Sequence, residues 1–185
     1  MVFAGIDYSL TSPAICIHSG DVWSYENCTF YYLVTNEKYL NREDQQYVPS
    51  LYPSYRGDVE RFHILSEWSM GSILDHSVDY VAIEGYAFGA VGRVFQIAEN
   101  CGLLKYKLWT NNLDSVVIPP TVIKKFATGK GNANKEAMIE SFETETGIDI
   151  RSKCSITNKQ WNPISDIVDA YYIAKFHFYK VEENL

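Results

Sequence analysis

Two aspartates three residues apart, Asp166 and Asp169, open an apolar-periodic run that continues through Ala170, Tyr171, Tyr172, Ile173 and Ala174. On a helix, that spacing sends both side chains from one face, a turn apart. Acids are favoured in a first helical turn, and Ser165 is a capping residue type, so the pair alone also reads as an ordinary helix start. Two further acids occupy stranger places. Asp7 ends the apolar run Val2-Phe3-Ala4-Gly5-Ile6, and Glu84 ends Tyr80-Val81-Ala82-Ile83. A carboxylate at the end of a buried strand is costly unless it meets a partner or a cation. If those strands are neighbours, Asp7 and Glu84 emerge at one sheet edge, where the last helix can bring Asp166 and Asp169 to them. Four converging carboxylates require hard divalent cations, and Mg2+ takes oxygen ligands while keeping waters for a substrate phosphate. Two such ions about 4 Å apart can activate a water and stabilise the leaving oxygen of a phosphodiester.

A second stretch is basic. From Pro119 to Lys135 there are four lysines (Lys124, Lys125, Lys130 and Lys135) and no acid. The glycine-to-lysine spacing is not that of a Walker loop, and no Ser or Thr follows. Lys135 falls in the first turn of a helix expected over Asn134 to Thr146, where a cation opposes the dipole. A bound phosphate would resolve that conflict through the same free N–H groups. The plainer reading is a solvated basic surface.

The elements that must position these groups follow from periodicity and turn residues. Val2–Ile6, Ala14–Ile17 and Val22–Val34, separated by turn signals at Ser12-Pro13 and Ser19-Gly20-Asp21, predict an antiparallel meander. Residues Asn36 to Gly57 are polar, carry Pro49, Pro53 and four tyrosines, and read as a long loop. Asp58–His76 has helical spacing, Tyr80–Ile83 is a buried strand, Val94–Trp109 a helix and Val116–Ile118 a strand. Thr121–Ala127, Asn134–Thr146 and Ser165–Val181 are helices, and Ile148–Asn162 is irregular. This order is mixed α/β, one sheet covered by helices.

Composition narrows the function classes. With 185 residues, 46% hydrophobic and 15% aromatic, the chain is globular. Its formal net charge of -7 excludes nucleic-acid binding through bulk charge but not through a local basic surface. Cys16, Cys28, Cys101 and Cys154 are scattered, giving neither a zinc cage nor a disulfide framework. The four histidines are equally dispersed. The N-terminus has no basic region ahead of its apolar residues, so it does not read as a signal peptide, and no apolar run has membrane-spanning length.

Gly5-Ile6-Asp7, Ala82-Ile83-Glu84, Lys124 with Gly129-x-Gly131-x-Ala133-x-Lys135, and Asp166-x-x-Asp169-Ala170 occur in the order seen in RuvC-type Holliday junction resolvases. No single motif is specific; four in order are, and the similarity runs from Phe3 to His177. The resemblance implies one RNase H-like domain over residues 1–185, with a mixed five-stranded sheet, an antiparallel meander followed by parallel strands, flanked by helices. It implies a homodimeric endodeoxyribonuclease that nicks branched DNA, four-way junctions above all, symmetrically with two Mg2+ or Mn2+ per active site. Carried over, Asp7, Glu84, Asp166 and Asp169 are the catalytic, metal-binding carboxylates. Lys124 and Lys135 hold the scissile and flanking phosphates, with Lys130 beside them. The family's aromatic wedge falls just after the second acid, where Tyr86 and Phe88 both stand.

The chain also departs from that pattern. The segments Asn36–Gly57 and Ile148–Asn162 are longer than in the bacterial enzymes, the latter carrying Arg151, Lys153, Lys159 and Trp161, and the net charge is acidic. These features suit a divergent viral or phage branch acting in the cytoplasm or at a viral replication site. Two other classes are open: an actin-like nucleotide-binding protein, which needs two such domains, and a non-catalytic junction-binding protein, which does not need all four acids. The Val94–Trp109 segment offers Val94, Phe95, Ile97, Ala98, Leu103 and Leu104, more apolar surface than one face requires, consistent with a dimer contact or with a fully buried helix.

Overall fold

A computed structural model of the chain describes residues 1–40, 44–86, 93–156 and 160–183. Its six strands are β1 (Val2–Asp7), β2 (Ala14–Ser19), β3 (Cys28–Val34), β4 (Tyr47–Leu51), β5 (Tyr80–Glu84) and β6 (Ser115–Ile118). They lie in the order β4-β3-β2-β1-β5-β6. The pairs β1–β2 and β2–β3 are antiparallel, while β5 joins β1, β6 joins β5 and β4 joins β3 in parallel. The meander followed by parallel strands is as expected. The strand count is not: six strands replace five, because β4 forms within the stretch read as loop. Its sequence, Tyr-Val-Pro-Ser-Leu, contains a proline, which argues against a strand in mid-sheet but is tolerated at an edge, where β4 lies. The third strand is also shorter than the predicted Val22–Val34. Ser24 accepts from the Glu26 N–H and starts a short 3-10 turn at Tyr25–Asn27, while Trp23 stacks on His18 at 4.4 Å. Aromatic content there serves packing and not strand extension.

The helices are α1 (Asp58–Asp75), α2 (Val94–Thr110), α3 (Pro120–Thr128), α4 (Lys135–Thr146), a single turn α5 (Ile150–Lys153) within the stretch read as irregular, and α6 (Ile164–Glu182). Two cores result, one on each sheet face. Strand alternation sends Ala4, Ile6, Val81 and Ile83 to one face, against Leu65, Ile73, Leu104 and Leu108 of α1 and α2. The other face packs Ala14, Cys16, Phe30 and Ala82 against α6, with Ile123, Met138 and Phe142 of α3 and α4 behind. The four cysteines are buried free thiols. Among the described residues no helix is long and apolar enough to cross a membrane.

One contact fixes the depth of α6. A Cβ built on Gly5 would lie 2.2 Å from the Ala174 backbone nitrogen and 2.5 Å from the Ala170 carbonyl oxygen. Only hydrogen fits between β1 and this helix, whose facing residues are themselves alanines. Since the obstructing atoms are backbone, Gly5→Ala must push α6 off the sheet, and the mutant is expected to lose about 3 kcal/mol of stability or fail to fold. Urea denaturation tests this; an unchanged midpoint would show that α6 does not rest on β1 in this way.

Candidate active site

Parallel neighbours end at the same sheet edge. In the β1–β5 ladder Ile6 stands opposite Ile83, so Asp7 and Glu84, one residue further on, are side by side. Both follow the alternation that points Gly5 and Ala82 toward α6. With Ala170 seated on Gly5, the N-terminal turns of α6 overhang this edge, and Asp166 and Asp169 descend onto it. The four sequence-predicted acids therefore meet.

Their electrostatics record the meeting. Burial raises the Asp7 pKa well above the usual carboxylate value, and the charges of Asp166, Glu84 and Asp169 raise it further. Burial lifts Glu84 to about 7, opposed by Lys124 and Lys135 and reinforced by Asp166. Asp169 is pushed up to about 8 by burial and by the charges of Glu84 and Asp166, with Lys124 and Lys135 pulling against them. Asp166 reaches about 6: burial raises it, while hydrogen bonds from Ser12, Asp7 and Ser165 and the charge of Lys135 hold it down. Asp7 and Asp166 also interact directly, so the two carboxyls titrate as a pair.

This arrangement fits a divalent cation by its chemistry. The donors are hard carboxylate oxygens, they are removed from water, and the lysines at the rim offset their mutual repulsion only in part. As the side chains stand, no three potential ligands among the described residues form a ready-made ion cage. Ser12 donates to Asp166 Oδ2 at 2.5 Å, which turns that carboxylate toward the hydroxyl.

The structure places the basic candidates differently from one another. Lys124 of α3 and Lys135 at the start of α4 act on Glu84 and Asp169. Asn134 caps α4 by accepting from the Ala137 N–H, and Lys135 Nζ reaches across to Asn162 Oδ1 and Ser165 Oγ, each at 3.1 Å. Ser165 thus serves Lys135 and lies inside α6, not at a cap; Pro163 precedes the helix. Lys130 lines a separate cavity between α3 and α4 with Ala133 and Glu140. Tyr86 is half-buried, with Lys105 Nζ 5.5 Å from its ring centre, and lines a cleft of about 310 Å³ with Asp7 and Glu84. Phe88 lies outside the described residues.

Several contacts at the candidate site were missed in the sequence. Ser12, 154 residues before Asp166, fixes that carboxylate and accepts from Asn162 Nδ2 at 2.6 Å. The turn carrying Ser12 is braced from the Tyr-rich segment. Tyr52 donates to the Leu10 carbonyl at 2.6 Å, and Arg61 of α1 donates to Tyr52 at 2.9 Å and to the same carbonyl. The Ser12-Pro13 turn, a few residues beyond the strand-end Asp7, was the available signal for Ser12; nothing local marks Tyr52 or Arg61.

With the geometry established, comparison with known proteins bears on the fold. No family model and no curated protein matches the sequence. Solved structures do match. A structure of Thermus thermophilus RuvC in complex with Holliday junction substrate superposes with a TM-score of 0.66 at 17% identity, covering 99% of this chain and 96% of that one. The fold is that of the RuvC-type resolvases. A fowlpox virus resolvase in complex with Holliday junction DNA gives 0.53 at 14% identity over 96% of this chain and 99% of its own. The yeast mitochondrial Holliday junction resolvase Ydc2 gives 0.52 at 13%, over 99% and 84%. The RNase H-like architecture expected from the motifs is thereby confirmed, with one strand more than expected.

The raised carboxylates make stability depend on pH in a defined direction. A folded-state pKa above the ordinary carboxylate value means that the native state binds more protons than the unfolded chain, so stability falls as pH rises between the two. For metal-free protein in EDTA, the melting temperature should decline from about pH 4 to about pH 8, the span between ordinary carboxylates and Asp169. Asp169→Asn should flatten that decline and be the more stable protein at pH 8. A wild-type curve that is flat or rising over this range would show that the acids do not crowd one another.

Proposed function

We propose that this chain is a divalent-metal-dependent endonuclease that cuts branched DNA, four-way junctions above all, by phosphodiester hydrolysis. The observation that carries the reading is the convergence of Asp7, Glu84, Asp166 and Asp169, from two strands and one helix, beside Lys124 and Lys135. The fold likeness to proteins described as Holliday junction resolvases, two of them solved with junction DNA, supports the substrate class. We take residues 1–185 as one nuclease domain, acting in recombination, replication or packaging in a cytoplasmic compartment.

In this reading the four carboxylates hold two Mg2+ or Mn2+ ions. When bound, such ions supply an activated water and stabilise the leaving oxygen. The protein's own groups do the rest. Binding the ions would release to solvent the protons that burial and mutual charge favour on these carboxyls. Ser12 keeps Asp166 in one orientation. Lys124 and Lys135 neutralise phosphate oxygens on either side of the cut, and the N–H groups at the start of α4 add to that anion site. Phosphate contacts then supply most of the affinity in spite of the acidic net charge, and make it salt-dependent.

A second copy completes the proposal. On α2, Phe95 (81% exposed), Gly102, Tyr106 (60%) and Trp109 (68%) share one outward stripe. A Cβ at Gly102 would meet nothing within 4 Å, so another helix can approach closely there. Of the apolar residues expected at a dimer contact, Phe95 is outward, whereas Leu104 is fully buried in the chain's own core. A two-fold dimer through this stripe would present two sites for paired nicks.

Cleavage of a synthetic four-way junction, beside matched duplex, fork and single strand and with or without Mg2+, tests the activity. Asp7→Asn should abolish cutting and leave junction binding largely intact; a mutant that cuts like the wild type removes the assignment. Ser12→Ala should cost about 10- to 100-fold in metal affinity or rate, the range for outer-shell partners. Lys135→Ala should weaken binding and reduce the slope of log K against log salt by about 1; an unaltered slope would deny it a phosphate contact. Sedimentation should show Trp109→Glu shifting a dimer to monomer, and a monomeric wild type would refute the dimer.

A further inference from the structure

On the β3 side of the carboxylates a second cavity opens, of about 490 Å³. Leu33 at the end of β3, Tyr39 from the turn beyond it and Trp161 from the segment before α6 are among its apolar walls. Its polar lining includes Ser12, Asn162 and Lys135. The same Ser12 hydroxyl donates to Asp166, and Asn162 links Ser12 to Lys135, so cavity and carboxylates share one hydrogen-bonded chain. Trp161 is 40% exposed, yet it is held in place: the Arg151 guanidinium lies 5.9 Å from its ring centre and donates at 2.9 Å to the carbonyl of the preceding residue, Gln160. The proposed cleavage uses Ser12 and Lys135 from this lining but none of its apolar walls.

We propose that it receives one unstacked nucleobase of the cleaved strand, from a nucleotide next to the scissile phosphate. The inference rests on the nuclease reading above and adds a base-binding subsite to it. A phosphate held between Lys135 and the acids leaves the adjoining nucleoside at the mouth of this cavity, which starts at Lys135 and Ser12. Aromatic and aliphatic walls suit the flat face of a base, and stacking of that kind works for any base. Both ends of the Asn162 amide are already engaged, one on Ser12 and one on Lys135, so the polar lining positions more than it reads. The occupant favoured is a base from branched DNA, because a nucleotide at a branch point has lost its stacking partner and its removal from the helix costs little.

Binding tests the proposal independently of cleavage. Asp7→Asn protein with Mg2+ is titrated into labelled four-way junctions in which each nucleotide near the branch point is replaced, one at a time, by an abasic one. At one position the abasic junction should bind about tenfold more weakly, the loss of one stacked base. Adding Trp161→Ala should lower affinity for the intact junction by a similar factor and cancel the abasic penalty, a coupling that independent effects would not give. Trp161→Phe, which keeps a ring, should restore it, and Thr35→Trp, which fills the cavity from its exposed rim, should mimic Trp161→Ala. An abasic penalty of equal size in wild-type and Trp161→Ala backgrounds, or none at any position, overturns the subsite. Absence of cutting by unmutated protein on every DNA would instead refute the nuclease reading, and the binding cycle would still decide whether a base enters here.

Discussion

The close approach of α6 to β1 governs this structure. Helix and strand backbones touch at Gly5 with no side chain between them, and the helix meets the strand with Ala170 and Ala174. That contact does more than pack two elements. It fixes the height and register of the helix start, and so the position of Asp166 and Asp169 over Asp7 and Glu84. A bulkier residue at the contact would lift the helix and separate the two pairs of acids. The polar cluster thus depends on apolar packing a turn away.

The acids are kept together against their own repulsion. Burial drives all four toward protonation, neighbouring carboxylates add to it at Asp7, Glu84 and Asp169, and Lys124 and Lys135 only partly offset it at Glu84 and Asp169. A site of this kind is a stability cost unless a cation or a shared proton relieves it, which is the usual relation between function and stability where charges are concentrated. The remaining machinery holds geometry. Ser12 and Asn162 orient Asp166, Lys135 spans from one helix start to another, and Tyr52 and Arg61 clamp the turn that carries Ser12. The long Tyr-rich segment, read from the sequence as a loop, contributes an edge strand and the Tyr52 half of this brace.

Much of this was legible in the residues. Each acid announced itself by position: two at strand ends, where an ionised group is out of place, and two a helical turn apart. The lysines without acids around them marked the basic rim, and alternation of apolar runs with turn residues gave the meander, the parallel strands and the order of the helices. Those signals are local, because period, turn chemistry and an acid in an apolar context are all properties of short stretches. What escaped was β4, whose proline and polar flanks hide a strand that exists only because β3 offers an unpaired edge. The start of the third strand also escaped, since an aromatic residue can serve a strand or a packed turn equally well.

The amino-acid sequence alone therefore determined most element types and the identity of the acids and lysines that the fold gathers at one sheet edge. Tertiary structure alone decided which partners those groups have. Ser12 meets Asp166 across 154 residues of chain, Tyr52 meets Leu10 across 42, and Trp161 comes to share a cavity with Leu33 and Tyr39. Hydrogen bonds and cavity walls of this sort depend on how elements are placed against one another to within an ångström. That placement is set by the summed packing of two cores and one glycine contact, which no local pattern encodes.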